Sequence, residues 1–272
     1  MSPKKIHYCW FGKGPKPQIF ESCLKSWKKF APDYEIIEWN EENFDIARFP
    51  FAQQAYDCKK YAFVSDIARL SVLYDHGGVY LDTDVELLAP LERFENDECF
   101  FFFQNVLNIA TGLGFGSEAG HPILQKLLDD YADRRFDTEH MADIICPRLT
   151  TTVFRQALPG FVANNQSQVI QGVCVYDTRV YDAHAIHHDQ FSWMSDEHRE
   201  AMRYVRKKRP NYRIREALRS PKIFGWFDRL HLKRIKKIYL FIVYDLIEYG
   251  VVYWCYRAYQ KIRKKICGHR NR

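Results

Sequence analysis

Two spacings of apolar residues alternate along the first two-thirds of the chain. Short continuous runs such as 99–103 are typical of buried strands, whereas Phe63, Ile67, Leu70 and Tyr74 recur at helical spacing. Gly77 and Gly78 follow that helical stripe, as expected for a helix end. Strands that alternate with helices predict an α/β fold with a mostly parallel sheet.

The pattern places eight elements in this part of the chain. Breakers such as the Gly14-Pro15 pair and Pro32 separate them. The predicted strands cover 5–10, 34–39, 79–81, 99–103 and 168–176, and the predicted helices cover 19–30, 61–76 and 121–131.

Charge divides the chain into two parts. From Arg199 to Arg272 there are 22 Lys or Arg against 5 Asp or Glu, a net charge of +17. Because the whole chain carries +6, residues 1–198 carry −11. We therefore expect an α/β domain over 1–198 and a basic, aromatic-rich helical tail over 199–272, with different partners for each surface.

The tail contains an apolar stretch from 238 to 256 between basic clusters. Asp245 and Glu248 near its middle would each cost about 2.5–3.5 kcal/mol in lipid. The pattern favours an element that lies on an anionic membrane surface. The alternative is helices packed on the domain with solvated basic faces. We expect no nucleic acid as partner, since no nucleic-acid motif accompanies the charge.

The first residues and the cysteines indicate the compartment. Residues 6–10 are too short and too mixed for a signal peptide, and no two of the eight cysteines form a CxxC pair. We expect reduced thiols and a cytoplasmic domain, held peripherally at the inner face of the cytoplasmic membrane by the tail.

Asp82 and Asp84 are the first candidates for chemistry. They lie two residues apart after a predicted buried strand, so an extended chain would direct both carboxylates to one side. Hard oxygen ligands of this kind suit Mg²⁺ or Mn²⁺ shared with a diphosphate. A triplet of this type is also common in solvated turns. Its place at the carboxyl end of a parallel strand favours a ligand site.

Asp66 and Arg69 lie three residues apart on the preceding helix and share a face. They form either a surface ion pair of little energetic value or a carboxylate and guanidinium directed into the site. Trp10, after the first strand, either stacks on a nucleobase or packs in the core. The His187-His188 pair is either structural or a source of a further metal ligand.

These residues together resemble the DXD sugar-binding glycosyltransferases, glycosyltransferase family 32. The spacing of Asp66 and Arg69 ahead of the DxD is also similar to that of the large clostridial glucosylating toxins. The resemblance covers about residues 3–194. The motifs that carry it are Lys4–Gly12, Ser65–Arg69, Leu73-Tyr74, Gly77–Asp84, Ile186–His188 and Ser192-Trp193.

The resemblance implies a GT-A type, Rossmann-like nucleotide-sugar-binding domain that uses a divalent metal and retains the anomeric configuration. By the same resemblance Asp66, Arg69, Asp82 and Asp84 are catalytic, and Asp82 and Asp84 with His187 or His188 hold the metal. Trp10 would stack on the base, and Trp193 would close over the departing diphosphate. The implied donor-binding residues are His7, Tyr8, Trp10, Tyr80, Asn108 and Trp193.

The function expected from this is transfer of a sugar from a UDP- or GDP-sugar to a hydroxyl of a saccharide acceptor, with a lipid-linked surface polysaccharide such as capsule as the expected acceptor. The metal would neutralise the diphosphate, with Arg69 adding positive charge. Front-face substitution and a covalent intermediate both fit the sequence. The alternative function is a non-catalytic sugar- or membrane-binding protein with the same fold. The pattern departs from the family at 189–191 and is loose around 105–116.

Overall fold

A seven-stranded sheet forms the centre of the domain. The computed structural model describes residues 3–139 and 141–188, so the predicted tail over 199–272 lies outside the described residues. Strand order in the sheet is β2-β1-β3-β6-β5-β8-β7, and a separate two-stranded sheet pairs β4 with β9. The nine strands are β1 Lys5–Cys9, β2 Glu35–Trp39, β3 Gly78–Tyr80, β4 Val85–Leu87, β5 Cys99–Phe102, β6 Phe115–Ser117, β7 Gln168–Ile170, β8 Val173–Tyr176 and β9 Ala185–His187.

Six α-helices and four short 3₁₀ turns connect the strands of the described part of the chain. The 3₁₀ turns cover Ile46–Arg48, Leu91–Phe94, Thr111–Leu113 and Met141–Asp143. The helices are α1 Gln18–Phe30, α2 Pro50–Asp57, α3 Tyr61–His76, α4 Pro122–Ala132, α5 Cys146–Ala157 and α6 Thr178–His184.

Strand directions confirm the predicted α/β class. β1 is parallel to β2 and β3, and β5 is parallel to β8. β6 runs antiparallel to both β3 and β5, so β5 and β8 point the same way as the first three strands. Only β6 and β7 run in the opposite direction within this sheet. This mixed sheet, with its carboxyl edge on one side, is the architecture expected of a GT-A glycosyltransferase domain.

Each face of the sheet buries its own core. Phe101 of β5 faces a cluster formed with α2, α3, α4 and α5, whereas Phe100 and Phe102 face a second cluster with α1 and α6. Successive side chains of a strand point to opposite faces, which explains the division. The predicted stripe of α3 is buried, since Phe63, Ile67 and Leu70 are at most 2% exposed.

The strand predicted over 168–176 is two strands. Gln171 and Gly172 adopt left-handed φ values of 51° and 79°, and β7 folds back antiparallel on β8. Left-handed conformations at both central residues are the geometry of a two-residue hairpin turn. The sequence predicted one strand because a single glycine, Gly172, within an apolar run does not distinguish a hairpin turn from a continuous strand.

Two further features concern the cysteines and the length of the helices. The six cysteines among the described residues are all unpaired, as predicted. Within 3–139 and 141–188, no helix combines the length and apolar character needed to cross a membrane.

The turn between α3 and β3 depends on a buried histidine. His7 is fully buried, and its Nδ1 accepts a hydrogen bond from Trp39 Nε1 at 3.0 Å. A tryptophan indole can only donate, so Nε2 of His7 carries the proton and donates to the carbonyl of Gly77 at 3.0 Å. Gly77 and Gly78 have φ values of 63° and 104°, and a Cβ on Gly78 would lie 2.8 Å from the carbonyl oxygen of Lys5. Both ring nitrogens of His7 therefore hold the sheet to this turn, and the role of His7 as a donor-binding residue stays a prediction.

This arrangement predicts a specific pH dependence of stability. Burial lowers the pKa of His7 from 6.5 to about 4. Between those values the unfolded chain takes up a proton that the folded chain resists, so stability falls as the pH drops through this window. In metal-free chemical denaturation, the unfolding free energy of the wild type should drop between pH 7.5 and 5 by about 2 kcal/mol more than that of His7→Gln. An equal drop in both proteins would contradict the buried neutral imidazole.

Candidate active site

The two aspartates converge through a turn and not along an extended strand. After β3 the chain turns at 82–85, where the amide of Val85 donates to the carbonyl of Asp82 at 3.0 Å. The side chains of Asp82 and Asp84 are 24% and 12% exposed. The conclusion from sequence that both carboxylates serve one site therefore holds, but the backbone conformation that achieves it differs.

His187 provides the third polar group beside the two aspartates. The antiparallel pairing of β4 with β9 places His187 opposite Val85, next to the turn. Its Nε2 lies 3.3 Å from Oδ1 of Asp84. Ligand atoms of Asp82, Asp84 and His187 all lie within 4.8 Å of one another.

His188 lies elsewhere, which corrects its assignment as a metal ligand. Its Nε2 contacts Oε2 of Glu86 at 2.9 Å, and its amide donates to the carbonyl of Asp84. Consecutive residues at the end of a strand point to opposite faces, so only one member of the pair can face the aspartates. The register of β4 against β9 selects His187.

Arg69 is enclosed by protein groups on nearly every side. Its side chain is 4% exposed, and Nε donates to the carbonyl of Ser65 at 3.0 Å. Nη2 lies 3.0 Å from Oδ1 of Asp66 and 3.3 Å from Oδ1 of Asp82, while Nη1 contacts the Thr111 hydroxyl at 3.4 Å. The surface-pair interpretation is therefore wrong. Two hydrogen bonds and two ion pairs thus hold the guanidinium among protein groups, and a contact of Arg69 with phosphate or sugar oxygens stays a prediction.

Electrostatics follow from this burial. Desolvation raises the pKa of Asp66 to about 6, against the lowering effect of Arg69. Desolvation likewise raises the pKa of Asp82, with Arg69 again opposing it. Burial alone would lower the pKa of Arg69, but the charge of Asp82, then Tyr80 and Asp66, raises it well above its usual value. The guanidinium therefore stays charged and is the counter-ion for both carboxylates.

Tyr80 supports Asp82 from below. Its side chain is 1% exposed, its hydroxyl donates to Oδ1 of Asp82 at 2.8 Å, and its ring lies under the Arg69 guanidinium at 5.0 Å. The sequence suggested that Tyr80 lines a nucleotide pocket. The structure places it beneath the carboxylate, where it limits the directions that Asp82 can take.

The end of β1 lies at the same sheet edge as Asp82, because β1 and β3 are parallel. Trp10 is partly exposed there, and its indole nitrogen donates to the carbonyl of Gly14 at 2.7 Å. Its role in base stacking stays a prediction. Tyr8 is buried between Phe20 and Trp27, and its hydroxyl donates to Glu38 at 2.6 Å, so it supports this edge from within the core.

Two predicted donor-binding residues have no established contact with the site. Asn108 closes a tight turn, in which its carbonyl accepts the amides of Gln104 and Asn105. Its role as a sugar-side group stays a prediction. Trp193 lies outside the described residues, as does the departure from the family pattern at 189–191.

Sequence reasoning missed the 3₁₀ turn at Thr111–Leu113. Thr111 holds Nη1 of Arg69, and its Oγ1 lies 2.9 Å from Sγ of the buried Cys146. A Cβ on Gly112 would lie 2.7 Å from Oδ2 of Asp82 and 3.1 Å from Nη1 of Arg69. A side chain at position 112 would therefore displace the site. In the sequence, the closely spaced glycines at 112 and 114 were the signal that could have indicated this turn.

The donor set fits a divalent cation. Two carboxylates and an imidazole within 4.8 Å offer oxygen and nitrogen ligands, and Mn²⁺ accepts both kinds. The carboxylates are already oriented by Tyr80, Arg69 and His187, as expected of residues around a metal site. The residues present therefore fit the metal that the sequence implied.

Comparisons with known proteins show which family the chain resembles. Residues 17–101 match the family of the glycosyltransferase sugar-binding region containing the DXD motif. An inositol phosphoceramide mannosyltransferase of Schizosaccharomyces pombe is 28% identical over 130 residues, which is 46% of this chain and 36% of that protein. An uncharacterized glycosyltransferase of Acanthamoeba polyphaga mimivirus is 27% identical over 183 residues, or 62% of this chain and 70% of that protein. The chain thus spans about a third of the length of the first of these relatives.

The solved structure of the PaToxG glycosyltransferase is also similar. It is 18% identical, with a TM-score of 0.49 over 58% of this chain and 71% of that chain. The fold assignment rests on the strand order and directions of the described residues and not on this likeness.

The geometry predicts different roles for the two neighbouring histidines. His187→Gln should weaken Mn²⁺ binding, measured by calorimetry, by about tenfold or more, because it removes a nitrogen ligand beside Asp84. His188→Gln is the matched control and should bind Mn²⁺ as the wild type does, since His188 contacts Glu86. Equal losses in both variants, or a loss in His188→Gln alone, would contradict the assigned register.

Proposed function

We propose that the chain is a glycosyltransferase of the DXD sugar-binding family, which it resembles over residues 17–101, and that it transfers a hexose from a nucleoside diphosphate sugar, with a divalent metal and with retention of configuration. The observation that carries the proposal is the convergence of Asp82, Asp84 and His187 within 4.8 Å at the carboxyl edge of the sheet. In open α/β sheets this edge is where ligands bind. A bound Mn²⁺ or Mg²⁺ would neutralise negative charge on the departing diphosphate.

The protein groups have separate parts in this proposal. Asp84 and His187 are the more direct ligands, because Asp82 already accepts from Tyr80 and Arg69. Arg69 keeps its positive charge next to the carboxylates of Asp66 and Asp82. Its main contribution is therefore to hold Asp82 and Asp66 in fixed positions, which limits reorganisation during the reaction.

The contacts of the three aspartates favour front-face substitution at the sugar carbon. Asp66 and Asp82 are each held by Arg69, and Asp84 contacts His187. A nucleophilic carboxylate must approach the sugar carbon freely, and these contacts oppose that. We propose that the acceptor hydroxyl attacks on the same face as the departing diphosphate, whose oxygen takes the proton.

The acceptor belongs to the proposal as well. Saccharide acceptors carry the attacking hydroxyl, and the basic residues over 199–272 support a lipid-linked acceptor at an anionic membrane surface. The Schizosaccharomyces pombe relatives named inositol phosphoceramide mannosyltransferases support a lipid acceptor too. We propose a peripheral position on the inner face of the cytoplasmic membrane. Failure of the full chain to sediment with anionic vesicles at physiological salt would oppose it.

A donor panel tests the transferase activity. UDP- and GDP-sugars, mannose among the sugars, should be screened for Mn²⁺-dependent hydrolysis, and one donor should turn over. Asp84→Asn should lower kcat/KM for that donor by about 100-fold or more, since a neutral amide binds the metal poorly and leaves the diphosphate charge uncompensated.

Glu86→Gln is the matched control, since Glu86 pairs with His188 and not with the metal ligands. It should keep wild-type turnover. If no donor turns over and Asp84→Asn leaves the binding of sugar nucleotides unchanged, the protein is a non-catalytic sugar-binding protein instead.

A further inference from the structure

Tyr181 belongs to α6, which leads into β9. Its ring packs on Phe102 with centroids 5.2 Å apart. It shares a hydrophobic core with Val85, which follows Asp84, and with Ala185, which begins β9. The amide of Ala185 also donates to the Tyr181 carbonyl. Tyr181 therefore belongs to the same core as the two chain segments that carry Asp84 and His187.

The Tyr181 hydroxyl is buried without a hydrogen-bond partner among the described residues. A buried hydroxyl in that state destabilises a protein relative to one that is hydrogen-bonded. Such orphaned groups are rare in folded proteins, and many belong to sites where a ligand or ion completes the hydrogen bonding. Sequence analysis gave no indication of it, since Tyr181 follows no recognised motif.

The Tyr181 phenol stays protonated in these surroundings. Burial raises the pKa of Tyr181 well above its usual value, and among the charges Asp84 acts most strongly, followed by Asp182 and Asp82. The buried Cys23 thiol is affected by the same carboxylate, since burial and then Asp84 and Glu86 raise its pKa to about 12. The phenol therefore keeps its proton and is a donor close to Asp84.

We propose that Tyr181 is a positioning residue of the metal site, whose hydroxyl donates a hydrogen bond to the Asp84 carboxylate in the metal-bound state. The inference rests on the proposed metal-dependent function. Asp84 contacts His187 at 3.3 Å. A bound ion would take both groups as ligands. Metal-binding carboxylates are generally hydrogen-bonded by a second layer of residues, and the Tyr181 hydroxyl, unpartnered within the described part of the chain, would supply such a bond to Asp84.

Removal of the single oxygen atom separates this role from a packing role. Tyr181→Phe keeps the ring on Phe102 and deletes only the unpaired hydroxyl. In metal-free protein its melting temperature should rise by about 2–4 °C, because an unsatisfied buried polar group is gone. Calorimetry should nevertheless show Mn²⁺ binding about tenfold weaker than in the wild type.

Tyr176→Phe is the matched control, since Tyr176 also packs on Phe102 but donates to Asp97 at 2.8 Å. It should lower the metal-free melting temperature and leave Mn²⁺ affinity unchanged. Equal Mn²⁺ affinity in Tyr181→Phe and wild type would overturn the inference while the proposed function stands. If the wild type itself binds no Mn²⁺, the role of Tyr181 and the proposed metal-dependent function are both wrong.

Discussion

A buried guanidinium between two carboxylates is the constraint on which this site depends. Arg69 is 4% exposed, and its charge is tolerable there because Asp66 and Asp82 compensate it and Ser65 and Thr111 accept hydrogen bonds from it. Removing one partner of such a buried pair costs about 3–5 kcal/mol, since the other charge is left uncompensated. The planar guanidinium of Arg69 also fixes the direction of its contacts, so that the Asp82 carboxylate is held in one orientation before any ligand binds.

The rest of the site is assembled around that fixed carboxylate. The Tyr80 hydroxyl donates to Asp82 from the end of β3. Gly112 lies so close to the Asp82 carboxylate that a side chain at position 112 would not fit. The two-stranded sheet of β4 and β9 brings His187 to the other aspartate from about a hundred residues away in the chain. Preorganised charge of this kind does not have to be rearranged as the reaction proceeds, which is a main source of catalysis in enzymes.

Local patterns predicted much of this arrangement. The stripe of Phe63, Ile67 and Leu70 identified α3, and the Gly77-Gly78 pair identified its end, because helical periodicity and positive φ are local properties. The resemblance then indicated which aspartates matter. The direction of each side chain was harder. Whether Arg69 faces solvent, donor or protein depends on the burial that α4, α5 and the turn at Thr111–Leu113 create, and no local pattern encodes that.

The same limit applies to the histidines. His187 and His188 are equivalent in sequence, and only their pairing with β4 separates them. His7 lies in a motif of the family, yet its two hydrogen bonds to Trp39 and Gly77 make it part of the framework that holds the turn before the aspartates. Functional motifs thus include residues that shape the framework of a site.

The Arg69 guanidinium holds Asp82 in place for metal binding, and the Mn²⁺ affinity of Arg69→Lys measures how much this matters. Lysine keeps the positive charge but has no rigid fork to contact Asp66, Asp82 and Thr111 at once. Calorimetric titration with Mn²⁺ should give an affinity about tenfold below that of the wild type. Wild-type Mn²⁺ affinity in Arg69→Lys would show that a positive charge alone suffices and that the guanidinium geometry does not position Asp82.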